Sequence, residues 1–562
     1  MGRSGPLAVV DFIIHEVEGV SQVLERKLGI WSVVIISLSA MLGGPLFVLP
    51  AIAMYDLSSG NTMGTGAGIW LAYVLAALVV LPGALSKSEL STAMPTSGGS
   101  YVYIERTFGP MFGTIAGLGL WASFMLKSAF ALIGFGAYLI VIEPVLPFEL
   151  TEQSAKTAAI ALLGLIVAIN VSGVKKVKVV QAPITVTSVI FVVGLCIWAL
   201  ATQPVDWHAP IADTAFGGTW QNLAGTTAFV FISYAGVTKI AAIAEEVKRP
   251  GKTLPRGMLL SLLISTVLYG GVAYALLAVL QPGDLIVNGQ PSEAPIHILA
   301  VAVGGEWLGI ITAIFAILMM VSMALAGTLA SSRFPFAMSR DNLLPSALEI
   351  VNAKWETPHW SIILTGILMA LAIFYLPVED VAKLASGFKI MIFMVINACV
   401  IVLRRVSIAH NWYKPEYLSP LFPVMQLWGI FAGVILLIIM GEKAFIGAGV
   451  AIIAGLITYV SYGRSRAHPK TTPWETVRLE MRDPDFAEIQ RRHIIFHSAD
   501  IHENGHLNLN EFRRAMRMLE YDLSDFALRN MFHEADVNED GVIDIDQFLA
   551  QFITNEAEAE AE

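Results

Sequence analysis

The sequence predicts an all-α, polytopic membrane protein that carries a small soluble module at its C-terminal end. Hydrophobic residues make up 56% of the 562 residues and charged residues only 14%, whereas a soluble globular chain carries about 25% charged residues. The charge is unevenly distributed: residues 466–562 hold 10 Lys or Arg and 21 Asp or Glu, and residues 1–465 hold 25 and 24. This composition argues against a soluble enzyme, a disordered protein and a nucleic-acid binder built on basic patches.

Twelve apolar stretches are long enough to cross a membrane. A helix needs about 20 apolar residues to span the hydrocarbon layer, and a helix satisfies its backbone hydrogen bonds within the segment, as lipid requires. The predicted helices are residues 30–54, 67–86, 112–141, 157–173, 180–201, 222–245, 256–281, 300–330, 360–377, 384–403, 420–440 and 444–462. They form one predicted membrane domain, 30–465, after an N-terminal segment, 1–29.

Basic residues in the loops predict the orientation of these helices, because Lys and Arg accumulate on the cytoplasmic side of a membrane. One set of helix ends and loops holds nineteen Lys and Arg residues, and Lys87 is one of them. The opposite set holds three, Lys156, Lys383 and Lys443. We therefore expect a multi-pass protein of the cell membrane with both termini in the cytoplasm.

Two of the predicted helices are interrupted, and they stand five helices apart. The first contains Gly43-Gly44-Pro45, where proline lacks an amide proton and clashes with the preceding turn. The sixth contains the segment 233–236, Ser-Tyr-Ala-Gly. Either interruption alone is equally well explained as a kink without consequence, since Gly and Pro are common in membrane helices. Together they favour an inverted-repeat carrier with its site near the membrane midplane.

Several motifs give the chain a resemblance to the amino acid–polyamine–organocation (APC) superfamily of transporters. The segments that carry the resemblance are SAMLGGPLFVLP (39–50), ELSTAMPTSGGSYVYIERTFGP (89–110), FISYAGVTKIAAIAEEVKRPGKTLPRG (231–257), SSRFPFAMSRDNLLP (331–345) and VLRR (402–405). The match covers roughly residues 30–463. It implies twelve transmembrane helices, arranged as a five-plus-five inverted repeat followed by two further helices.

The resemblance also implies a function: secondary active transport of amino acids or closely related solutes by alternating access, with a proton or sodium ion as coupling ion. Amides freed at the first break would bind a substrate carboxylate, and carbonyls freed at both breaks would bind its amino group. The residues implied to line the breaks are Gly43, Gly44, Pro45, Phe231, Ser233, Tyr234 and Gly236. Phe231 fits the family's aromatic lid, and ordinary helix packing is the alternative for Phe231 and Tyr234.

Three positions depart from the family pattern. Pro45 stands where the first-helix motif usually has glycine, so one amide that would bind a carboxylate is missing. Lys127 stands where polyamine transporters carry an acidic residue on the third helix, and Ser188 stands where proton-coupled members carry a lysine on the fifth. A lysine within a long apolar run is costly to insert, so Lys127 is a functional candidate. It either replaces the lost amide as carboxylate partner or shuttles a proton.

The acidic C-terminal part contains two copies of the EF-hand calcium loop, D-x-[DN]-x-[DN]-G-x5-E. Each copy has glycine at position six and an apolar residue at position eight, Leu507 or Ile543, where paired loops meet. The candidate Ca²⁺ ligands are Asp500, His502, Asn504, His506, Glu511, Asp536, Asn538, Asp540, Val542, Asp544 and Gln547. We expect a linker at 466–484, a paired EF-hand domain at 485–555 that docks on the cytoplasmic face of the transporter, and an acidic tail at 556–562.

Neither loop matches the pattern fully. Loop one has His502 where Ca²⁺ prefers an oxygen ligand, and loop two ends in Gln547, whose neutral amide cannot supply the bidentate carboxylate. A metal-free structural pair is therefore the alternative to a calcium sensor. The predicted core of the module is Phe486, Ile489, Ile495, Phe496, Phe512, Met516, Phe526, Met531, Phe532, Phe548 and Phe552.

Two other functional hypotheses remain open beside amino acid transport. The protein could transport another organic amine or anion, or it could be a nutrient-sensing receptor that binds its ligand without moving it. A membrane enzyme is disfavoured, because the apolar part of the sequence shows no nucleophile–base set and no cluster of metal ligands.

Overall fold

The described part of the chain comprises most of the membrane domain and much of the C-terminal module. The structure, a computed structural model, describes residues 28–55, 66–95, 99–143, 150–173, 177–212, 220–237, 239–352, 354–355, 357–406, 413–466, 472–482, 489, 492–493, 495–497, 499–502, 504–519, 521, 525–538 and 540–551. Residues 1–27 of the predicted N-terminal segment, the acidic tail 556–562, Phe486 and Phe552 lie outside these ranges.

Helices dominate the fold. They are α1 Ile30–Met41, α2 Gly44–Phe47, α3 Leu49–Met54, α4 Ile69–Ala93, α5 Ser100–Phe108, α6 Pro110–Val141, α7 Glu152–Val171, α8 Val177–Thr202, α9 Trp220–Phe229, α10 Pro250–Val279, α11 Pro295–Arg340, α12 His359–Tyr375, α13 Val378–Arg405, α14 Val424–Met440, α15 Glu442–Thr458, α16 Pro473–Arg482, α17 Leu509–Met518 and α18 Asp525–Ala535. Two 3₁₀ segments, Val230–Gly236 and Lys239–Glu246, follow α9. Strands β1 Ile286–Val287 and β2 Gln290–Pro291 form a short antiparallel hairpin.

The helices agree with the predicted polytopic membrane architecture. Among the described residues, nine helical segments are long and apolar enough to span a membrane, and three shorter apolar helices, α1, α12 and α14, accompany them. These twelve segments fall at the twelve predicted positions. The apolar side chains that face outward along them, such as Trp307 and Val450, are those expected of a surface in contact with lipid.

Helices five positions apart in the bundle pack against each other. The first spanning segment, α1, contacts the 3₁₀ segment of the sixth, α4 contacts α10, α6 contacts α11, and α7 contacts α12. This pairing is the arrangement expected when two five-helix halves are interleaved. It brings the two interrupted segments side by side at the centre of the bundle.

Two lysines lie inside helices, although the predicted helix boundaries put them at helix ends or loops. Helix α4 continues to Ala93, seven residues beyond its predicted end, and it contains Lys87. Helix α13 begins at Val378, six residues before its predicted start, and it contains Lys383. Both side chains are buried. A polar residue ends the apolar run from which a helix is predicted. The helix itself can continue past that residue when neighbouring helices bury its side chain.

The C-terminal module has its own hydrophobic core. It is formed by Ile495, Phe496, Ala499, Leu507, Phe512, Ala515, Met516, Leu528, Phe532, Ala535, Ile543 and Phe548. Two predicted core residues are instead exposed, Ile489 at 39% and Phe526 at 76%. The region predicted as a linker is also more ordered than expected, because residues 473–482 form helix α16.

Candidate functional site

The first spanning segment is interrupted where the sequence predicts. Helix α1 ends at Met41, and the backbone turns at Gly43, whose φ of 135° favours glycine over residues with a side chain. The helix restarts as α2, in which the N–H groups of Leu46 and Phe47 donate to Gly43 O. The amides of Gly43 and Gly44 precede this first hydrogen bond, and Pro45 has no amide to offer.

The second interruption begins earlier than predicted. The α-helix α9 ends at Phe229, and the chain continues as the 3₁₀ helix Val230–Gly236. Phe231, Ser233 and Tyr234 all lie in this segment and are buried. The prediction placed the break at Ser233–Gly236, because a glycine in a predicted helix indicates a break. The change from α-helix to 3₁₀ helix begins at Val230, where no glycine or proline indicates it.

The two interruptions touch through their backbones. A Cβ atom placed on Gly236 would lie 2.5 Å from the carbonyl carbon of Ala40, so only glycine allows this approach. The site residues Gly43 and Gly44 of one break and Phe231–Gly236 of the other therefore meet in one buried region. This juxtaposition brings together the residues that the family resemblance implies. Lys127, which departs from the family pattern, is a separate candidate.

Three hydroxyl groups from neighbouring helices bind backbone groups at the interruptions. Tyr269 Oη of α10 donates to Met41 O at 2.8 Å and lies 3.3 Å from Ser233 O, so it bridges both breaks. Ser386 Oγ of α13 donates to Phe229 O at 2.9 Å and accepts from Ile232 N–H at 3.1 Å. Tyr138 Oη of α6 donates to Phe47 O at 2.9 Å.

Sequence reasoning missed these three hydroxyl groups. A hydroxyl in an apolar run is the only signal that the sequence offers for Tyr138, Tyr269 or Ser386, and many such hydroxyls bind only their own helix. Which of them reaches a break depends on how the helices pack.

Apolar side chains line the region around the breaks. A Cβ atom on Gly44 would lie 3.0 Å from Cδ1 of Phe130, and one on Gly43 would lie 2.6 Å from Met323 Sδ. The ring of Phe231 packs edge-on against Phe393, with ring centroids 5.6 Å apart. The region thus combines polar backbone groups with an aromatic and aliphatic wall, the usual composition of a small-molecule site.

Lys127 lies on α6 one turn from Phe130, which contacts Gly44. Its side chain is 4% exposed, and its Nζ atom has no hydrogen-bond partner among the described residues. Lys127 is therefore buried on a helix that is long and apolar enough to span a membrane. Among the described residues, Lys127 forms no side-chain hydrogen bond with either break. Its role in binding or proton transfer therefore stays a prediction.

A buried polar network lies at one end of the bundle. Glu89 of α4 is fully buried, and its carboxylate pairs with the guanidinium of Arg404 of α13, with Nε at 2.8 Å from Oε1. Tyr413 Oη and Ser419 N–H donate to the same carboxylate at 2.7 and 2.8 Å. Gln426 of α14 extends the network by donating to Ser419 Oγ. We call this group the Glu89 network; it joins three helices and one loop at the end predicted to be cytoplasmic.

The two EF-hand loops are held together by a pair of backbone hydrogen bonds. Leu507 N–H donates to Ile543 O at 2.8 Å, and Ile543 N–H donates to Leu507 O at 2.9 Å. At position one of loop one, the Asp500 carboxylate accepts the N–H groups of Asn504 and Gly505. Asp536 does the same in loop two for residues 540 and 541. Both loops thus adopt the turn that the EF-hand pattern predicts.

The candidate ligands converge within each loop. In loop one, His502 Nδ1 lies 2.7 Å from Glu511 Oε1, which joins positions three and twelve. In loop two, Asn538 Nδ2 donates to Asp540 Oδ2 at 2.9 Å, and Gln547 Nε2 donates to Asn538 Oδ1 at 3.0 Å. No three His, Cys, Asp or Glu side chains group as metal ligands within the described ranges. The EF-hand pattern itself uses amide and backbone oxygens as ligands in addition to carboxylates.

Hydrogen bonding stabilises the ionised form of Glu511. Burial raises the pKa of this carboxyl group, but hydrogen bonds from Asn508 N–H, His502 and Ile501 N–H outweigh burial, so the pKa lies below its ordinary value. The ionised group therefore stabilises the module at neutral pH, and this contribution is lost as the pH falls through that lowered pKa. An ionised carboxylate at position twelve is the form that Ca²⁺ requires.

A polytopic all-α body with two facing helix breaks defines a membrane carrier of the inverted-repeat class. Residues 28–464 match the family model described as amino acid permease, and residues 490–553 match the EF-hand domain pair. The chain therefore belongs to the amino acid permease family, within the APC superfamily, and carries an EF-hand pair at its C-terminal end.

Three similar proteins match this chain over nearly their whole length. The branched-chain amino acid permease BcaP of Bacillus subtilis is 27% identical, over 80% of this chain and 94% of the relative. The serine/threonine exchanger SteT of the same organism is 27% identical, over 79% and 98%. The methylthioribose transporter of B. subtilis is 26% identical, over 80% and 95%.

We predict that Tyr269→Phe destabilises the breaks. Removing the hydroxyl leaves buried carbonyl oxygens without their donor, so the free energy of unfolding falls by about 1–3 kcal/mol. Tyr274→Phe is the control on the same helix, because its hydroxyl binds Trp207 O at an exposed position. Thermal unfolding of the detergent-purified protein measures both; equal melting temperatures for the two variants would contradict a supporting role for Tyr269.

We predict that Arg404→Met strongly destabilises the protein. It leaves the Glu89 carboxylate buried without a counter-charge, which costs about 3–5 kcal/mol. Lys156→Met is the control, because the Lys156–Glu152 pair is exposed and contributes at most about 1 kcal/mol. Adding Glu89→Gln to Arg404→Met should restore part of the lost stability in the same thermal assay. If the single variant unfolds at the temperature of the control, the network has no structural importance.

Proposed function

We propose that this protein is a secondary active transporter of amino acids or closely related solutes. The observation that carries the proposal is the pair of facing helix breaks, where backbone groups of Gly43, Gly44 and the 230–236 segment meet in one buried region. Polar backbone groups of this kind suit a ligand with both a carboxylate and an amino group. Alternating access then requires the two halves to rock about the breaks.

The apolar wall favours substrates with an uncharged, aliphatic side chain. Phe130, Phe231, Met323 and Phe393 leave little room for a second charge beside the breaks. The relative named for branched-chain amino acids agrees with such a substrate, and the relative named for serine and threonine agrees with an uncharged side chain. The relative named for methylthioribose keeps open a solute without the amino acid pattern.

The loop charges support the orientation. The Glu89 network lies at the end of α4 and α13 that carries Arg404 and Arg405, and Lys and Arg accumulate on the cytoplasmic side. We place this end, both termini and the EF-hand module in the cytoplasm. The Glu89 network then closes the cytoplasmic side of the bundle in this conformation, and it has to loosen when that side opens.

We predict that Gly44→Ala lowers transport. The added methyl group lies 3.0 Å from Phe130, so it narrows the site between the breaks. Gly271→Ala is the matched control, because a Cβ atom there meets nothing within 4 Å. The assay is uptake of labelled leucine, serine and methylthioribose into proteoliposomes, with size-exclusion chromatography to confirm folding.

The expected result is uptake of at least one amino acid by the parent and by the control, and at least tenfold less by Gly44→Ala. Saturable binding of a substrate without uptake in the parent would instead support the nutrient-sensing receptor. Unchanged kinetics in a folded Gly44→Ala variant would contradict the placement of the site.

We further propose that cytoplasmic Ca²⁺ regulates transport through the EF-hand pair. The residues that would hold Ca²⁺ in loop one include Asp500, Asn504 and Glu511. In loop two they are Asp536, Asn538, Asp540, Asp544 and Gln547. The imidazole of His502 and the amide of Gln547 replace better ligands, so we expect sensor-range affinity, about 10⁻⁷–10⁻⁵ M or weaker.

Helix α16 supplies a physical route from the module to the membrane domain. Trp474 packs against Phe108 of α5, with ring centroids 5.8 Å apart. Val477 is buried in one cluster with Val402 of α13 and with Val406, the residue that follows this helix. These two valines flank Arg404 in the sequence, so movement of α16 acts on the helix turn that holds the Glu89 network.

We predict that free Ca²⁺ changes the initial rate of uptake into proteoliposomes and that Trp474→Ala weakens this response. The variant removes the aromatic contact but leaves both loops intact, so Ca²⁺ binding measured by calorimetry should persist. Arg478→Ala is the control on the same helix, because its side chain is exposed. Asp500→Ala with Asp536→Ala should abolish both binding and response. A full response in that double variant would place the calcium sensor elsewhere.

A further inference from the structure

One face of helix α13 runs from the second break to the Glu89 network. The residues along this face, which are spaced by whole helical turns, are Ser386, Phe393, Asn397 and Arg404. Ser386 Oγ binds the backbone of the second break, and Arg404 pairs with Glu89. At a rise of 1.5 Å per residue these two contacts are about 27 Å apart along the helix. Phe393 and Asn397 lie between them.

The ring of Phe393 contacts both helix α4 and the second break. A Cβ atom on Gly83 of α4 would overlap this ring, so only glycine allows α4 to approach it. The same ring packs edge-on against Phe231, with ring centroids 5.6 Å apart. The position of α13 along α4 therefore sets where this part of the aromatic wall lies relative to the break.

Asn397 joins α13 to α4 one turn further along. Its Oδ1 atom accepts from Ser86 Oγ at 2.8 Å, and its Nδ2 atom donates to Phe393 O at 2.9 Å. The bond to its own helix fixes the direction of the side-chain amide, so Oδ1 faces α4. A Cβ atom on Gly429 of α14 would overlap Asn397 Nδ2, so α14 also approaches this residue through a glycine. The side chains of Asn397 and Ser86 are both fully buried.

Ser86 continues these hydrogen bonds into the Glu89 network. Its Oγ atom accepts from Gln426 Nε2 at 3.2 Å, and the same Nε2 atom donates to Ser419 Oγ. Ser419 O in turn accepts from Arg404 Nη2 at 3.0 Å. A continuous series of hydrogen bonds therefore joins the network to Asn397. Buried polar groups that are satisfied in this way hold their helices in one arrangement.

We propose that Asn397 is a positioning residue of the transporter, which holds α13 in one register on α4 and so couples the Glu89 network to the aromatic wall. A shift of α13 along α4 would break the bond between Asn397 and Ser86 and would move Phe393 away from Gly83. Both contacts are lost together, because a buried amide or hydroxyl without a partner is costly. The inference rests on the transport proposal and deepens it, because it assigns a role in substrate binding to a residue outside the breaks.

The first test measures order at the second break without any substrate. Amide hydrogen exchange of the full-length protein in detergent is followed by mass spectrometry for residues 230–236 and, as a reference, for α7. We expect Asn397→Leu and Ser86→Ala to accelerate exchange at 230–236 by about fivefold or more, the lower end of the usual range for coupling between sites. Exchange in α7 should stay at the parental rate. Ser91→Ala is the matched control, because Ser91 is also fully buried on α4 and its hydroxyl donates to Ser88 O of the same helix.

The second test is uptake of labelled leucine into proteoliposomes. In Asn397→Leu and Ser86→Ala we expect a raised KM with a largely unchanged maximal rate, because a displaced aromatic wall weakens substrate binding. Loss of stability alone would instead lower the maximal rate, through fewer folded transporters, and would leave KM unchanged. Ser91→Ala should keep the parental KM.

The proposal is wrong if both variants keep the parental exchange rate at 230–236, or if exchange rises equally in α7, which would indicate a general loss of stability. An unchanged KM in both variants would also contradict it. If Asn397→Leu does not fold, Ser86→Ala decides, since it leaves the bond from Asn397 to Phe393 O in place. A parent that takes up no leucine would count against the transport proposal alone. The exchange experiment needs no substrate and still decides the role of Asn397, so the two failures are distinguishable.

Discussion

Breaking a helix inside a membrane exposes backbone groups that lipid cannot hydrogen-bond, and the centre of this protein is organised around that constraint. The breaks persist because neighbouring helices supply substitute partners. Tyr269 binds the carbonyl of Met41, Ser386 binds both a carbonyl and an amide of the second break, and Tyr138 binds the carbonyl of Phe47. The backbone groups that remain at Gly43 and Gly44 are those that we propose bind the substrate.

The same constraint applies to the ionisable side chains of the interior. At one end, Glu89 and Arg404 form an ion pair, and Tyr413 Oη and Ser419 N–H donate further hydrogen bonds to the Glu89 carboxylate. Such a network stabilises one arrangement of the helices. A different arrangement of α4 and α13 at this end would require the Glu89–Arg404 ion pair to break. Nearer the breaks, the Nζ atoms of Lys127 and Lys389 form no hydrogen bond with any described residue. An ionisable side chain within a membrane domain indicates function more than stability.

Helix α16, which precedes the EF-hand module in the chain, packs against the membrane domain. Helix α16 places Trp474 on α5 and Val477 on α13, one turn from the arginine of the Glu89 network. A ligand can shift a conformational equilibrium only through different affinities for its states. Ca²⁺ can therefore act on transport if the position of α16 differs between the closed and open forms of that end.

The sequence by itself determined the fold class, the twelve apolar segments, the family, the EF-hand loops and the two interruptions. Each of these depends on local composition or spacing: long apolar runs, the Gly43-Gly44-Pro45 break, and the loop pattern that begins at Asp500. Only the tertiary structure decided which hydroxyls bind the breaks, that Lys87 is buried rather than at a helix end, and that Glu89 meets Arg404 across 315 positions. The physical reason is that burial and pairing depend on which helix faces lie against each other, and one-dimensional patterns do not specify those faces.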